Sequence, residues 1–171
     1  MIYVYNCYAG THSSALAAAY HLNKIPRDRT PTKEEILTID IFNKLTSKDM
    51  GKLIYHGNDE SNHPVYTVGR GNSKAVVPAL SGLVDILHQH GQTDEKVIFS
   101  NASPTVPLAM TFGGLFSRRL KIDFIGVPLL IKGAKQAYDD IAKLVEKTKE
   151  VAATTENQVE VLDNKEFEAI Q

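Results

Sequence analysis

Ile2-Tyr-Val-Tyr-Asn-Cys-Tyr-Ala-Gly-Thr-His-Ser-Ser-Ala-Leu-Ala-Ala-Ala-Tyr-His-Leu22 opens the chain, and its reading decides the fold. The β-rich run from Ile2 to Asn6 ends at Cys7, the only cysteine. A small and polar loop follows at 9–13. An Ala/Leu-rich helix is expected from about Ser14 to His21, with Ser13 or Ser14 suited to cap it. Strand, short loop and helix N-terminus is a layout that binds anions. The first N–H groups of a helix have no intrahelical partner, and the helix dipole favours negative charge there. A thiol at the strand end, beside those donors, would have its thiolate stabilised.

Further along, Lys24 to Thr32 carries two prolines and mixed charge and reads as a loop. Thr32-Lys-Glu-Glu35 has the form of a capping box. The helix it starts would set Ile36, Ile39 and Leu45 on roughly one side. Leu53-Ile-Tyr-His56 and Val65-Tyr-Thr-Val68 are strand-like, and Gly57 to Asn62 joins them, so an antiparallel hairpin is expected. A helix over about 73–89 has an apolar face of Val76, Val77, Leu80, Leu83, Val84 and Leu87, with Gly91 as its stop. Val97-Ile-Phe99 is a short buried strand. A polar loop, Ser100 to Pro104, leads into a helix over about 105–120. The apolar run from Phe124 to Ile131 reads as a central strand, and Gly133 as the opening of an amphipathic helix from 134 to about 149. Residues 150–158 are polar and linker-like, and Val159 to Leu162 suits an edge strand before a frayed end.

Strands alternating with helices predict an α/β fold, a three-layer sandwich around a mostly parallel sheet with an inserted antiparallel hairpin at 52–68. The 171 residues suffice for one domain, expected at 1–149, with 150–171 as a polar extension. A net charge of −1 gives no field that argues for nucleic acid or a membrane surface as partner. No apolar run reaches the length of a membrane span. One cysteine cannot form an internal disulfide, which fits a cytoplasmic setting.

Cys7 has two readings: a nucleophile at the base of an anion loop, or a small apolar residue closing a strand. Its position at the carboxyl end of a strand, where open α/β sheets bind ligands, supports the first. Gly10 permits close backbone approach or a positive φ, and Thr11, Ser13 and Ser14 add hydroxyls. The loop has neither the glycines and lysine of a nucleoside-triphosphate loop nor the three glycines of a dinucleotide site. His12 is a candidate general acid or base, or a phosphate ligand, or a plain loop histidine. Asn101 and Ser103 follow the strand at 97–99 and are candidate ligand contacts, although Ser103 or Thr105 could equally cap the next helix. Arg118 and Arg119 are candidates for a phosphate clamp, against which the direction of their helix counts. Arg70, between Gly69 and Gly71, could close over a ligand from the hairpin. No His, Cys and Asp spacing makes a metal site, and no cofactor is expected.

Two resemblances attach to these residues. Cys-Tyr-Ala-Gly-Thr-His-Ser-Ser at 7–14, Pro-Thr-Lys-Glu-Glu at 31–35, Gly-Arg-Gly at 69–71 and Ser-Arg-Arg-Leu at 117–120 resemble an uncharacterised domain-of-unknown-function family of spore-forming Gram-positive bacteria. That resemblance covers about 1–149 and brings no established activity. It implies that the Cys7 loop and the Arg118-Arg119 pair belong to a recurring pattern. The segment 7–16 is similar to the phosphocysteine loop of lactose/cellobiose-type phosphotransferase IIB subunits, Cys-x-Ala-Gly-Met-Ser-Thr-Ser. Cys7, Ala9, Gly10 and Ser14 match it, while Thr11, His12 and Ser13 replace Met, Ser and Thr. The resemblance implies a cysteine that carries a phosphoryl group held by loop amides. Low-molecular-weight tyrosine phosphatases have a related Cys-x5-Arg-Ser loop; Ser13 stands where they have arginine. That substitution argues against phosphatase activity of their type.

The leading expectation is therefore binding or turnover of a phosphorylated small molecule or inorganic anion at the 7–14 loop. In its bolder form Cys7 accepts the phosphoryl group and His12 moves protons. Two other expectations stand beside it: a non-enzymatic regulatory or interaction protein, and a nucleotide-dependent enzyme with an unusual phosphate loop. The sequence leaves the substrate and the oligomeric state open.

Overall fold

The computed structural model of the protein describes residues 1–169. Five strands form one sheet: β1 (Ile2–Cys7), β2 (Leu53–Asn58), β3 (Pro64–Gly69), β4 (Val97–Asn101) and β5 (Val159–Leu162), in the order β2-β3-β1-β4-β5. β1 pairs in parallel with β3 and β4, and β4 with β5; only the β2–β3 hairpin is antiparallel. The hairpin thus extends one edge, as its sequence predicts, and β3 rather than β2 lies beside β1.

β1 is the centre of the sheet and is buried on both faces. Its alternation divides the two layers. Tyr3 and Tyr5 join the larger core with α1 (Ser13–His21), α4 (Leu108–Gly114) and α5 (Asp123–Thr154). Val4 packs with Val68, Val97 and Phe99 under α3 (Val76–Gln89), which contributes Val76, Val77, Leu80 and Val84. Leu83 and Leu87, counted on the same apolar face from sequence, point toward solvent instead. The result is the three-layer α/β sandwich. α2 (Lys33–Thr38) begins at the expected capping box, with Thr32 and Glu35 bonded reciprocally. It ends before Ile39, so Ile36 and Ile39 reach the core without a continuous helix to Leu45.

Two expectations are corrected. The run Phe124 to Ile131 is not a strand but the first part of α5, and Gly133 lies inside that helix rather than at its start. The buried positions Gly126, Leu130, Ile131, Gly133, Ala134, Ala137, Tyr138, Ile141, Leu144, Val145, Thr148 and Ala152 follow a helical period over the whole length. The apolar run is the stretch where α5 packs on α4. A Cβ on Gly133 would lie 2.5 Å from the Met110 amide, and one on Gly126 2.5 Å from the Ser117 amide. These glycines are there for close helix approach. The helix expected over 105–120 is shorter and changes pitch: α4 passes at Gly114 into a π-helical turn, Leu115–Arg119. α5 continues through residues 150–154, and β5 forms the edge strand expected at 159–162. Of the frayed end expected beyond it, residues 170 and 171 lie outside the described residues.

Candidate functional site

At the carboxyl end of β1, Cys7 is buried and its Sγ has two polar neighbours. The Gly10 amide donates to it at 3.2 Å, and Ser14 Oγ lies 3.1 Å away. Neither serine caps α1 through its side chain; the N-cap is His12, whose side chain makes no capping bond. Ser14 is turned to the sulfur instead, and the fully buried Ser13 Oγ has no partner among the described residues. The amides of Thr11, His12, Ser13, Ser14 and Ala15 also have no partner among the described residues. Buried donors are normally satisfied. A row of amides at a helix N-terminus beside a sulfur suits an oxyanion.

The loop's shape is fixed by a contact between two glycines. Gly10 has φ +72°, and a Cβ there would lie 2.6 Å from the Gly69 amide nitrogen. A Cβ on Gly69 would lie 2.7 Å from the Ala9 carbonyl. The Arg70 and Gly71 amides donate to the Cys7 and Tyr8 carbonyls at 3.0 and 2.8 Å. The loops after β1 and β3 are thereby locked together, which no other residue pair would allow at this separation.

Thr11 and His12 face away from the thiol. The Thr11 hydroxyl bonds the Ile41 carbonyl and accepts from the Lys44 amide at 3.2 Å. His12 Nε2 lies 3.3 Å from Asn43 Oδ1, and the Asn43 amide group donates to Ser117 Oγ at 2.7 Å. Ser117 in turn donates to the Asp123 carboxylate. The chain therefore runs in one direction, with His12 as donor at Nε2. Burial, helped by the nearby Arg118 charge and opposed by the Asn43 bond, pushes His12 down to about 4, so its imidazole is neutral at pH 7. Arg118 does not reach the 7–14 loop. Its guanidinium bonds the carbonyls of Asn43, Lys44 and Leu45, the segment that Thr11 also holds. Arg119 is exposed and has no hydrogen-bond partner among the described residues.

Arg70, Asn101 and Ser103, singled out separately in the sequence, meet. Arg70 Nη2 donates to Ser103 Oγ at 3.0 Å and approaches Asn101 Oδ1 at 3.5 Å. The Ser103 amide donates to Asn101 Oδ1 at 3.0 Å, while Thr105 bonds the Ala102 carbonyl, and α4 starts only at Leu108. Neither Ser103 nor Thr105 caps that helix.

Sequence reading missed a polar cluster at the opposite edge of the sheet. The hydroxyl of fully buried Tyr5 lies 2.7 Å from His21 Nδ1, and His21 Nε2 lies 3.2 Å from Asp59. His63 Nδ1 is 3.4 Å from the same carboxylate. Burial, with Lys149 adding to it, pushes His21 down to about 4. Burial opposes ionisation of Asp59, but bonds from the His63 and Ser61 amides and from His21 outweigh it and hold the carboxyl below its ordinary range. The available signal was the polar turn Asp59-Glu-Ser-Asn62 closing a hairpin, with His63 just before its second strand. Asn43 and Ser117 were also missed; their partners lie too far along the chain for any local pattern.

Among the described residues no group of His, Cys, Asp and Glu side chains is placed to hold a metal ion. No described helix is long and apolar enough to cross a membrane. The chain belongs to the family of proteins of unknown function DUF3189, whose model matches residues 2–150. No curated protein and no solved structure matches the chain.

Proposed function

We propose that the protein binds the phosphoryl group of a small molecule, or a free inorganic oxyanion, in the loop 7–14 at the N-terminus of α1. The observation that carries this reading is the pairing of Cys7 Sγ with the Gly10 amide and Ser14 Oγ, next to five amides and the Ser13 hydroxyl that have no partner among the described residues. The Gly10 amide and the Ser14 hydroxyl hold the sulfur in place, and the remaining donors match the oxygens of a phosphate. The similarity to the phosphocysteine loop supports Cys7 as the residue beneath the phosphorus. In a transfer step the S–P bond would form as the P–O bond to the leaving group breaks, the leaving oxygen keeping the electron pair. A cytoplasmic setting fits the free thiol.

His12 favours a second reading, in which the anion is bound as a signal and not turned over. Its imidazole is neutral and committed to Asn43, so the loop has no ready general acid for a leaving group. A regulatory protein, in a process such as sporulation, needs only the binding.

One experiment separates them. Inorganic phosphate and vanadate should slow modification of Cys7 by a small thiosulfonate and raise Tm. The protein is then incubated with acetyl phosphate and its intact mass measured. A phosphoryl adduct lost in Cys7→Ser establishes transfer. Anion protection without an adduct establishes the binding reading. An indifferent thiol and an unchanged Tm would sink both.

A further inference from the structure

A cavity of about 600 Å³ opens on the other face of the sheet from the thiol, between the carboxyl ends of β1, β4 and β5 and the first half of α3. It is separate from the Cys7 loop. Side chains alternate along β1, so Cys7 faces α1 while Asn6 faces α3. β1 and β3 are neighbours whose following loops leave to opposite faces, toward α1 and α3 respectively. The loop after β3 brings Arg70, Ser73 and Lys74 to the rim of this cavity.

The lining has three kinds of chemistry. Asn6 is 2% exposed, lines this cavity, and its carboxamide has no hydrogen-bond partner among the described residues. Ser81 Oγ, on the α3 side, is a buried hydroxyl with no partner either. Buried polar groups without partners are uncommon and point to an occupant that satisfies them. The carboxamide offers a donor and an acceptor side by side, the pattern carried by the edge of a nucleobase. Val77 and Pro78 on α3 and Val161 on β5 give the same cavity apolar walls for the faces of a flat ring. Cations stand at one end. Arg70 is anchored by Ser103, and its Nη1 and Nε donors have no partner among the described residues; Lys74, exposed, lines the same cavity two residues before α3. Asp163 and Asp85 complete the rim with acceptors suited to sugar hydroxyls.

We propose that this cavity binds a nucleoside monophosphate. Asn6 reads the base edge, the apolar walls hold the ring, the carboxylates accept from the sugar, and Arg70 and Lys74 take the phosphate. The site stands independently of the anion loop at Cys7.

The test is titration of the full chain with AMP, GMP, CMP and UMP, and separately with adenosine and inorganic phosphate, followed by calorimetry and Tm. At least one nucleoside monophosphate should bind, with adenosine and phosphate each about tenfold weaker or more. Lys74→Glu should weaken binding about tenfold by removing one charge-assisted contact, and Asn6→Leu should abolish it. Should Asn6→Leu fail to fold, Lys74→Glu, at an exposed side chain, still decides. No binding of any of the four at millimolar concentration would overturn the proposal. So would binding unchanged in Lys74→Glu, or AMP displaced by phosphate at equal concentration, which would assign the nucleotide to the Cys7 loop. Phosphate protection of Cys7 is read separately, so either site can fail alone.

Discussion

Cys7 Sγ lies 3.1 Å from Ser14 Oγ, across the turn that carries β1 into α1. The contact ties the second residue of the helix to the sulfur at the end of the strand. Ser14→Ala removes the one side-chain partner of Cys7 among the described residues and leaves the backbone donor from Gly10. It should cost about 1 kcal/mol of stability, the usual net worth of one such bond. It should also change the rate of thiosulfonate modification of Cys7 at neutral pH, because the sulfur loses its hydroxyl partner. A variant that loses stability yet reacts at the wild-type rate would make the bond purely structural.

Gly10 and Gly69 are packed backbone to backbone, and each excludes a Cβ on the other. Gly69→Ala should destabilise the fold by on the order of 3 kcal/mol, because its methyl group meets the Ala9 carbonyl, which cannot swing aside as a side chain would. Gly10→Ala adds the strain of a positive φ. Both should remove anion protection of Cys7 even where the chain remains folded. Chemical denaturation and the protection assay, run on the same samples, check this.

The legible parts of the molecule are those with a local pattern. The first strand, loop and helix are contiguous in sequence, and the Cys7–Gly10–Ser14 contact spans one turn. The strand assigned to 124–131 shows the limit. Eight residues rich in Ile, Val and Leu satisfy a strand and a buried helix equally, and Gly133 looks like a boundary. The helical period emerges only with Ala134, Ala137, Tyr138 and Ile141 included. The roles of Thr11 and Arg118 were hidden for another reason. Their partners at 41–45 lie about thirty and seventy residues away, and no spacing rule reaches that far. Asn6 carried a quiet signal: a carboxamide on the same face as Val4 in a strand buried on both sides.

Arg118 holds three consecutive carbonyls, those of Asn43, Lys44 and Leu45, and so fixes the segment against which Thr11 and His12 rest. Arg118→Ala should cost about 2 kcal/mol, since bonds from a charged donor are lost. It also removes a cation that lowers the His12 pKa, so His12 should titrate above its present value of about 4. NMR titration of the six histidines would show it. Arg119→Ala, at an exposed and unpartnered side chain, should leave stability within about 0.5 kcal/mol of wild type. Equal effects of the two substitutions would contradict the asymmetry.

Acid should destabilise this protein well above the carboxylate range. Burial lowers His12, His21 and His56 to about 4 from an ordinary value of 6.5. The folded state keeps all three neutral where the unfolded chain already binds protons. The unfolded state thus holds more protons between pH 6.5 and pH 4, and stability falls as pH drops through that window. Below it, all three are charged in both states and their contribution is gone. A loss on the order of 3 kcal/mol or more is expected from pH 7 to pH 4.5, summed over groups that are not all fully buried. Asp59 acts with His21: neutral His21 accepts from Tyr5 at Nδ1 and donates to Asp59 at Nε2. Asp59→Ala leaves that buried N–H unpaired and opens the turn whose Ser61 and His63 amides the carboxylate holds. Urea denaturation from pH 7 to pH 4.5, with amide exchange at residues 59–63, tests both. Wild type should show the steep acid loss with a protected turn, and Asp59→Ala should lose protection there already at pH 7. A flat profile between pH 7 and pH 4.5 would mean that the three histidines are free to protonate in the folded state.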